Sequence, residues 1–373
     1  MMVRALDLGG IERDVSKLAR HIDRSRFEPH VASYLPFGAR FQELSGAGIP
    51  VLHLPVTSVF SRAAVQSAFL LRRYLRERRI RIVHAFDAPT DIFGIPLARL
   101  FRVPVSIASQ LWVHSITPGW YARLVLRSCR LSTAVYVNCN ATKRQLVEEK
   151  GQDPNRVFVC HNGVETDVFH PPSQPRAAGA PSPRGHPPDA PVIIGSIAVL
   201  RPEKSLTTLL KAFALVLEGH PQARLVIAGQ GPMLPELEAQ RRQLGIAHAC
   251  RLLPPPESVA DLMRTIDIYV LPSLSEAFSN ALLEAMACGC CPVGSRVGGT
   301  PELIAEGERG LLFEPGNAEE LAAKLSLLVE NSGLRRTYGD ASAAFAHGTL
   351  GIRMVAGRLA DFYTRLLERS EEG

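Results

Sequence analysis

Glu276 and Glu284 stand on either side of a Ser279-Asn280 pair in the stretch SEAFSNALLEAMACG, residues 275–289. The preceding VLPS reads as the end of a strand and the following ALLEAMACG as a helix, with Ser279 placed as its N-cap. A helix start of this kind leaves the amides of Asn280, Ala281 and Leu282 free, and free amides at the positive end of a helix dipole suit a phosphate. Glu276, just upstream, is placed to accept hydrogen bonds from sugar hydroxyls beside that phosphate. Glu284, further into the helix, is placed for the two hydroxyls of a ribose, because each carboxylate oxygen accepts more than one donor. The plain alternative is a capped amphipathic helix whose acids only favour the dipole.

A second cluster favours the site over the plain cap. In AVLRPEKSLTTLL, residues 198–210, Arg201 and Lys204 occupy the loop between a strand and a helix. Two cations at the carboxyl end of a strand can clamp a diphosphate, arginine in bidentate fashion and lysine as a point charge. Cations at a helix start oppose its dipole unless an anion is present. Acids for hydroxyls and bases for a diphosphate together describe a nucleotide-sugar site.

The elements that must hold these residues alternate short β-branched runs with helical patterns, the signature of parallel sheets wrapped by helices. Strands are expected near 28–34, 49–54, 80–85, 104–109, 133–138 and 156–160, and again near 192–197, 223–229, 249–253, 267–273, 291–295 and 310–315. A further strand belongs before Gly9-Gly10, where only MMVRALDL is available: either it is short or the sequence starts late. Residues 171–190, PPSQPRAAGAPSPRGHPPDA, are rich in Pro, Ala and Gly and read as a linker. The expected fold class is α/β, with two doubly wound Rossmann-like domains facing across a cleft. The first spans 1–170 and the second 191–350, and a final helix at 351–373 returns to the first. Ligands bind such sheets at the carboxyl ends of the strands.

With these residues in view, the chain resembles the retaining glycosyltransferases of family 4, which have the GT-B fold. The resemblance rests on GSIAVLRPEKSLTTLLKAF, RLVIAGQGP, DIYVLPSLSEAFSNALLEAMACG, PVGSRVGGTPELI and GLLFEPGNAEELA, and in the first half on LDLGGIERDVSKLA and HNGVETDVFHP. It implies that Arg201 and Lys204 bind the donor diphosphate, that Glu276 meets the transferred sugar, and that Glu284 holds the ribose. Ser279, Asn280, Ala281 and Leu282 complete the donor site, and the Gly9-Gly10 loop closes over it. The implied reaction moves a hexosyl or N-acetylhexosaminyl group from a UDP- or GDP-linked sugar to a hydroxyl of a lipid-linked or polysaccharide acceptor. No Asp-x-Asp pair occurs, so no metal is expected, and no cofactor beyond the donor itself. Many relatives carry a histidine at the end of the strand written here VPVSIASQLWVH, about where Ser109 or Gln110 falls. This chain departs from that pattern, leaving Ser109, Gln110, the loop residue His114 and the strand-end residue His84 as acceptor-side candidates.

Composition is that of an ordinary globular protein, at 46% hydrophobic and 21% charged residues, with a mild net charge of +6. Six arginines cluster in LLRRYLRERRIRIVH, residues 70–84. They read either as a solvated helix face or as a patch for an anionic membrane surface. Tyr74 is the single aromatic residue among them, too few to serve as a stacking platform, which argues against nucleic acid. Seven cysteines, three crowded at Cys288, Cys290 and Cys291, suit a reducing cytoplasmic setting. GQGP, residues 229–232, lacks the remaining positions of a dinucleotide fingerprint. Two rival functions share the fold: a nucleotide-sugar epimerase, and a catalytically impaired scaffold that binds nucleotide or a partner.

Overall fold

The computed structural model describes residues 1–7, 9–58, 61–111, 119–172 and 191–372. His114 and nearly all of the expected linker lie outside them. The chain divides into two compact units, Met1–Gly163 with Ile352–Gly373, and Val164–Gly351.

In the first unit the strands are β1 (Met2–Ala5), β2 (Val31–Leu35), β3 (Val51–His53), β4 (Ile82–His84), β5 (Val105–Gln110), β6 (Ala134–Val137) and β7 (Val157–Val159). The helices between them are α1 (Gly10–His21), α2 (Ala39–Gly46), α3 (Arg62–Glu77), α4 (Ala88–Leu100), α5 (Gly119–Leu131) and α6 (Asn140–Arg144). Every strand pairing is parallel, in the orders β1-β2-β3 and β4-β5-β6-β7. A bridge from Met2 to Ala85 joins the two pieces, so the strands run 3-2-1-4-5-6-7. β1 is therefore short but central, and Val3, at 0% exposure, is part of the core. The order reverses direction between β1 and β4, which opens a crevice at their carboxyl ends.

The second unit repeats the plan with β8 (Ile193–Ile197), β9 (Arg224–Ala228), β10 (Cys250–Leu253), β11 (Ile268–Leu271), β12 (Cys291–Ser295) and β13 (Leu311–Phe313). Its helices are α7 (Leu206–Gly219), α8 (Leu234–Gln243), α9 (Val259–Met263), α10 (Asn280–Ala287), α11 (Thr300–Ile304), α12 (Ala318–Glu330) and α13 (Ser332–Leu350). Its sheet runs 10-9-8-11-12-13, parallel throughout, with its switch point between β8 and β11. A parallel sheet covered on both faces is buried on both, which is why IYVL in β11 carries no charged residue and is wholly buried. The amphipathic helix α7 adds Leu206, Leu209, Leu210, Phe213 and Val216 to that core.

The last helix, α14 (Ile352–Glu372), packs its Val355, Leu359, Phe362 and Tyr363 face into the first unit's core. The segment after Gly163 belongs to the second unit, ahead of the proline-rich stretch. Val164 donates its amide to Leu350 O at 2.8 Å, and Arg264 donates to the carbonyls of Val168 (2.6 Å) and His170 (3.2 Å).

Candidate functional site

At the switch point of the second sheet, the turn after β8 and the turn after β11 meet. Leu200 donates its amide to Gln230 O at 2.9 Å as the chain leaves β8. Two glycines make that approach possible: a Cβ at Gly229 (φ +149°) would lie 1.9 Å from Ala198 O, and one at Gly231 (φ +155°) 2.4 Å from Leu200 O. GQGP is thus a packing device that shapes the Arg201 turn. A short helical turn, Pro202–Lys204, follows, and Ser205 then takes a left-handed conformation (φ 48°) before α7 begins. Such a conformation costs a non-glycine residue roughly 1 kcal/mol, and it sets the direction in which the turn presents Lys204.

From the other strand, Leu274 donates its amide to Glu203 O at 2.8 Å and ties the SLSE loop to this turn. Lys204 Nζ meets Glu276 Oε2 at 2.5 Å, with the two side chains 23% and 16% exposed. Ser273 Oγ also lies on that oxygen at 3.5 Å. The backbone of Glu276 is clasped from behind by Gly298, where φ is +49° and a Cβ would fall 1.6 Å from Glu276 O. Beneath the turns, the Tyr269 hydroxyl donates to Ile197 O at 3.1 Å and so couples the ends of β8 and β11. Burial pushes that phenol far above its usual range, with Glu284 and Glu276 adding to the effect. Arg201 keeps its side chain 61% exposed, with its Nη1 3.9 Å from Glu203 Oε1.

Ser279 is the N-cap of α10, and the helix carries Asn280 and Ala281 in its first turn and Glu284, 4% exposed, further in. One expectation needs correcting. The Leu282 amide is taken by Ser279 Oγ at 3.3 Å, because a capping hydroxyl satisfies the amide three residues on. Arg201, Lys204, Glu276, Ser279 and Glu284 thus lie on the carboxyl-end turns of β8 and β11 and on the helix that β11 leads into. Among the described residues no three His, Cys, Asp or Glu side chains gather in a way that would hold a metal ion.

The acceptor-side candidates lie in the first unit, and most of them are turned inward. His84 is 1% exposed: its Nδ1 meets Tyr363 Oη at 2.6 Å, its Nε2 meets Ser109 Oγ at 2.9 Å, and its ring stacks on Phe86 at 4.0 Å. It does not face solvent, and burial holds the imidazole well below its usual range, so it is neutral. The Ser109 amide donates to Asp91 Oδ1 at 3.1 Å and Gln110 Nε2 to Asp91 Oδ2 at 3.2 Å. Burial raises the Asp91 carboxyl well above the carboxylate range. Tyr363, His84, Ser109, Asp91 and Gln110 therefore form an internal polar chain. His84 and Gln110, expected on the acceptor side, serve to lock α14, β4, β5 and α4 together.

What does open at this switch point is a cavity of about 160 Å³ lined by Arg4, Glu12, Phe86, Asp87 and Ser109 among others. Asp87 caps α4 in a reciprocal capping box with Thr90 and accepts the Arg4 amide at 2.6 Å. Burial raises the carboxyls of both Glu12 and Asp87. Gly9 is the N-cap of α1 and Gly10 its first residue, and the Glu12 carboxylate curls back so closely that a Cβ at Gly9 would meet it at 1.9 Å. None of Arg4, Glu12, Asp87 or Tyr269 was singled out by sequence reasoning. The Asp-x-x-Thr spacing ahead of α4 was a legible capping signal.

Residues 8–168 match the family described as Glycosyltransferase Family 4, and residues 182–345 match Glycosyl transferases group 1. A D-inositol 3-phosphate glycosyltransferase of Thermomonospora curvata is 32% identical over 289 residues, covering 73% of this chain and 66% of its own length. The protein of the same name from Thermobispora bispora is 34% identical over 292 residues, covering 74% of this chain and 67% of its own. The matched stretch thus spans about two thirds of the length of these relatives. Among solved structures, Anabaena HepE in complex with UDP aligns with a TM-score of 0.82 over 98% of both chains at 19% identity, a likeness of fold.

Proposed function

Because the chain belongs to the group 1 glycosyltransferases, with the two Rossmann-like domains of the GT-B fold, we propose that it transfers a sugar, with retention and without a metal, from a nucleotide diphosphate sugar to an acceptor hydroxyl. In this reading Arg201 and Lys204 neutralise the diphosphate, Glu276 orients the transferred sugar, and Glu284 accepts from the ribose hydroxyls. The start of α10, with Asn280 and Ala281, supplies the positive end of a helix dipole to the phosphates. The bond from the anomeric carbon to the diphosphate breaks, and the acceptor oxygen bonds to the same face. The acceptor proton passes to the departing diphosphate, so no enzyme nucleophile takes part. Preset positive charge at the leaving group is the main source of acceleration in such a scheme.

The observation that carries the reading is the Lys204–Glu276 ion pair at the switch point between β8 and β11. A cation for phosphate and an acid for hydroxyls stand there side by side, where ligands of such sheets bind. The acceptor is read as a hydroxyl of a lipid-linked or polysaccharide chain, and the arginine-rich segment 70–84 supports an anionic membrane as a partner surface. A second reading is favoured by the small cavity beside Arg4 and by the names of the relatives: a phosphorylated small polyol as acceptor.

The test is thermal melting against nucleoside diphosphates and their sugars in EDTA, led by UDP and UDP-glucose, with a D-inositol phosphate as a separate arm. A ligand at ~100 times its dissociation constant adds ~2.7 kcal/mol. That is a rise of several degrees for a unit of this size. One nucleotide sugar is expected to stabilise the protein, Lys204→Ala to remove the shift, and Glu276→Ala to cut it to that of the bare nucleotide. If no nucleotide raises the melting temperature, with or without magnesium, the scaffold reading replaces this one.

A further inference from the structure

α3 sets Val65, Phe69, Arg72 and Arg76 along one stripe, since residues three and four apart share a helix face. Beside this stripe the end of α4 presents Leu97 and Leu100, followed by Phe101 and Arg102. Between them lies an open groove of about 620 Å³, lined by apolar side chains and three arginines and by no carboxylate. Phe69 is 66% exposed and Leu100 71%, with Val65 and Leu70 exposed nearby. Large apolar tips gathered on one face are not what a monomer leaves to water without use.

The arginines of this region divide by what they already hold. Arg73 pairs with Glu77 at 2.7 Å, Arg81 pairs with Glu371, and Arg78 lies over the Tyr74 ring. Arg72, Arg76 and Arg102 make no ion pair among the described residues and line the groove, whereas Arg79, also without an ion pair, lies with Arg78 and Arg81 on a separate cavity. Apart from these guanidiniums no lining side chain can form a hydrogen bond, so nothing in the groove fixes the register of a folded partner. Fluid phosphate headgroups over an apolar layer require no register and match both halves of the surface.

We propose that this α3–α4 face docks on an anionic phospholipid bilayer, with Val65, Phe69 and Leu100 entering the boundary between headgroups and acyl chains and Arg72, Arg76 and Arg102 meeting lipid phosphates. The inference deepens the membrane reading of the arginine-rich segment and is independent of the donor site. Among the described residues no helix is long and apolar enough to cross a membrane.

Sedimentation of the full chain with vesicles tests it, using phosphatidylcholine alone against phosphatidylcholine mixed with phosphatidylglycerol. Binding is expected only to the anionic vesicles and is expected to weaken as salt rises. Each of Arg72→Gln, Arg76→Gln and Arg102→Gln should lower the partition coefficient about fivefold. The pair Phe69→Ser with Leu100→Ser, at unchanged charge, should lower it by about tenfold or more. Melting temperatures and nucleotide-induced shifts equal to wild type in these variants separate a lost membrane contact from lost folding or a failed donor site. The proposal is overturned if wild type ignores anionic vesicles, if it binds neutral ones equally, or if the arginine variants bind as well as wild type. Self-association that depends on Phe69, without vesicle binding, would equally overturn it in favour of a protein interface.

Discussion

Replacing either partner of the Lys204–Glu276 pair separates two jobs that the ion pair holds together. The side chains meet at 2.5 Å while 23% and 16% exposed, which places the pair between two regimes. A fully exposed pair contributes under ~1 kcal/mol, and stripping one partner from a fully buried pair costs ~3–5 kcal/mol. Either single alanine substitution should therefore cost about 2 kcal/mol, a fall of roughly 4–8 °C in melting temperature for a unit of this size. The double substitution should cost less than the sum, because it leaves no orphaned charge. Ligand binding then distinguishes the roles. A charge-assisted hydrogen bond is worth ~1.5–3 kcal/mol, so Lys204→Ala should weaken a nucleoside diphosphate by roughly 10–150-fold. Glu276→Ala should do the opposite to the bare nucleotide, binding it as well as or a few-fold better than wild type, because the ammonium loses its internal competitor. The same variant should lose about tenfold or more of the extra affinity that the sugar confers. Isothermal titration of both variants with the nucleotide and its sugar reads all four affinities. If Glu276→Ala weakens the bare nucleotide as much as Lys204→Ala does, Glu276 acts only by positioning the lysine, and its assignment to the sugar is refuted.

Two further outcomes follow from the geometry. Gly298→Ala should lower the melting temperature and abolish the nucleotide-sugar shift, because its Cβ would fall 1.6 Å from Glu276 O. Gly316→Ala is the control: its φ of +80° is also left-handed, but the nearest atom is a leucine methyl at 3.7 Å, so it should cost only about 1 kcal/mol and leave donor binding intact. Acid should destabilise the first unit through His84, which burial keeps neutral in the folded state while the unfolded chain takes up a proton below pH ~6.5. The unfolded state then binds more protons, so stability falls with decreasing pH by up to ~1.4 kcal/mol per unit, until the folded imidazole titrates. Denaturant melts at stepped pH should show this slope reduced in His84→Gln. Asp91, whose raised carboxyl acts with the opposite sign, is common to both proteins.

What could be read from the sequence, and what could not, divides along the separation of the residues involved. The strands were legible because parallel strands buried on both faces are written as β-branched runs. The donor cluster was legible because strand, turn and helix start are contiguous in sequence, so that Arg201 and Lys204, or Glu276 and Ser279, name their own place. Pairing β8 with β11 across the switch point then follows from the fold class alone. The first unit offered no such shortcut. His84 ends a strand at the carboxyl edge, where a ligand-facing role is a fair expectation, yet its partners come from residues 25 and 279 positions away. Only three-dimensional neighbours decide whether a polar strand-end residue looks outward or completes an internal chain. The same holds for the crevice itself, where Arg4, Glu12, Asp87 and Ser109 come from four separate elements. The arginine cluster shows the rule from the other side. Six arginines in one stretch form no single patch once Glu77, Glu371 and Tyr74 have engaged three of them. The surface that remains borrows Arg102 from the turn after α4. A run of like charge therefore bounds where an anionic partner can dock, but the residues that meet it are selected by which neighbours the fold brings near and by the face on which each remaining arginine lies, since Arg79 turns to a separate cavity.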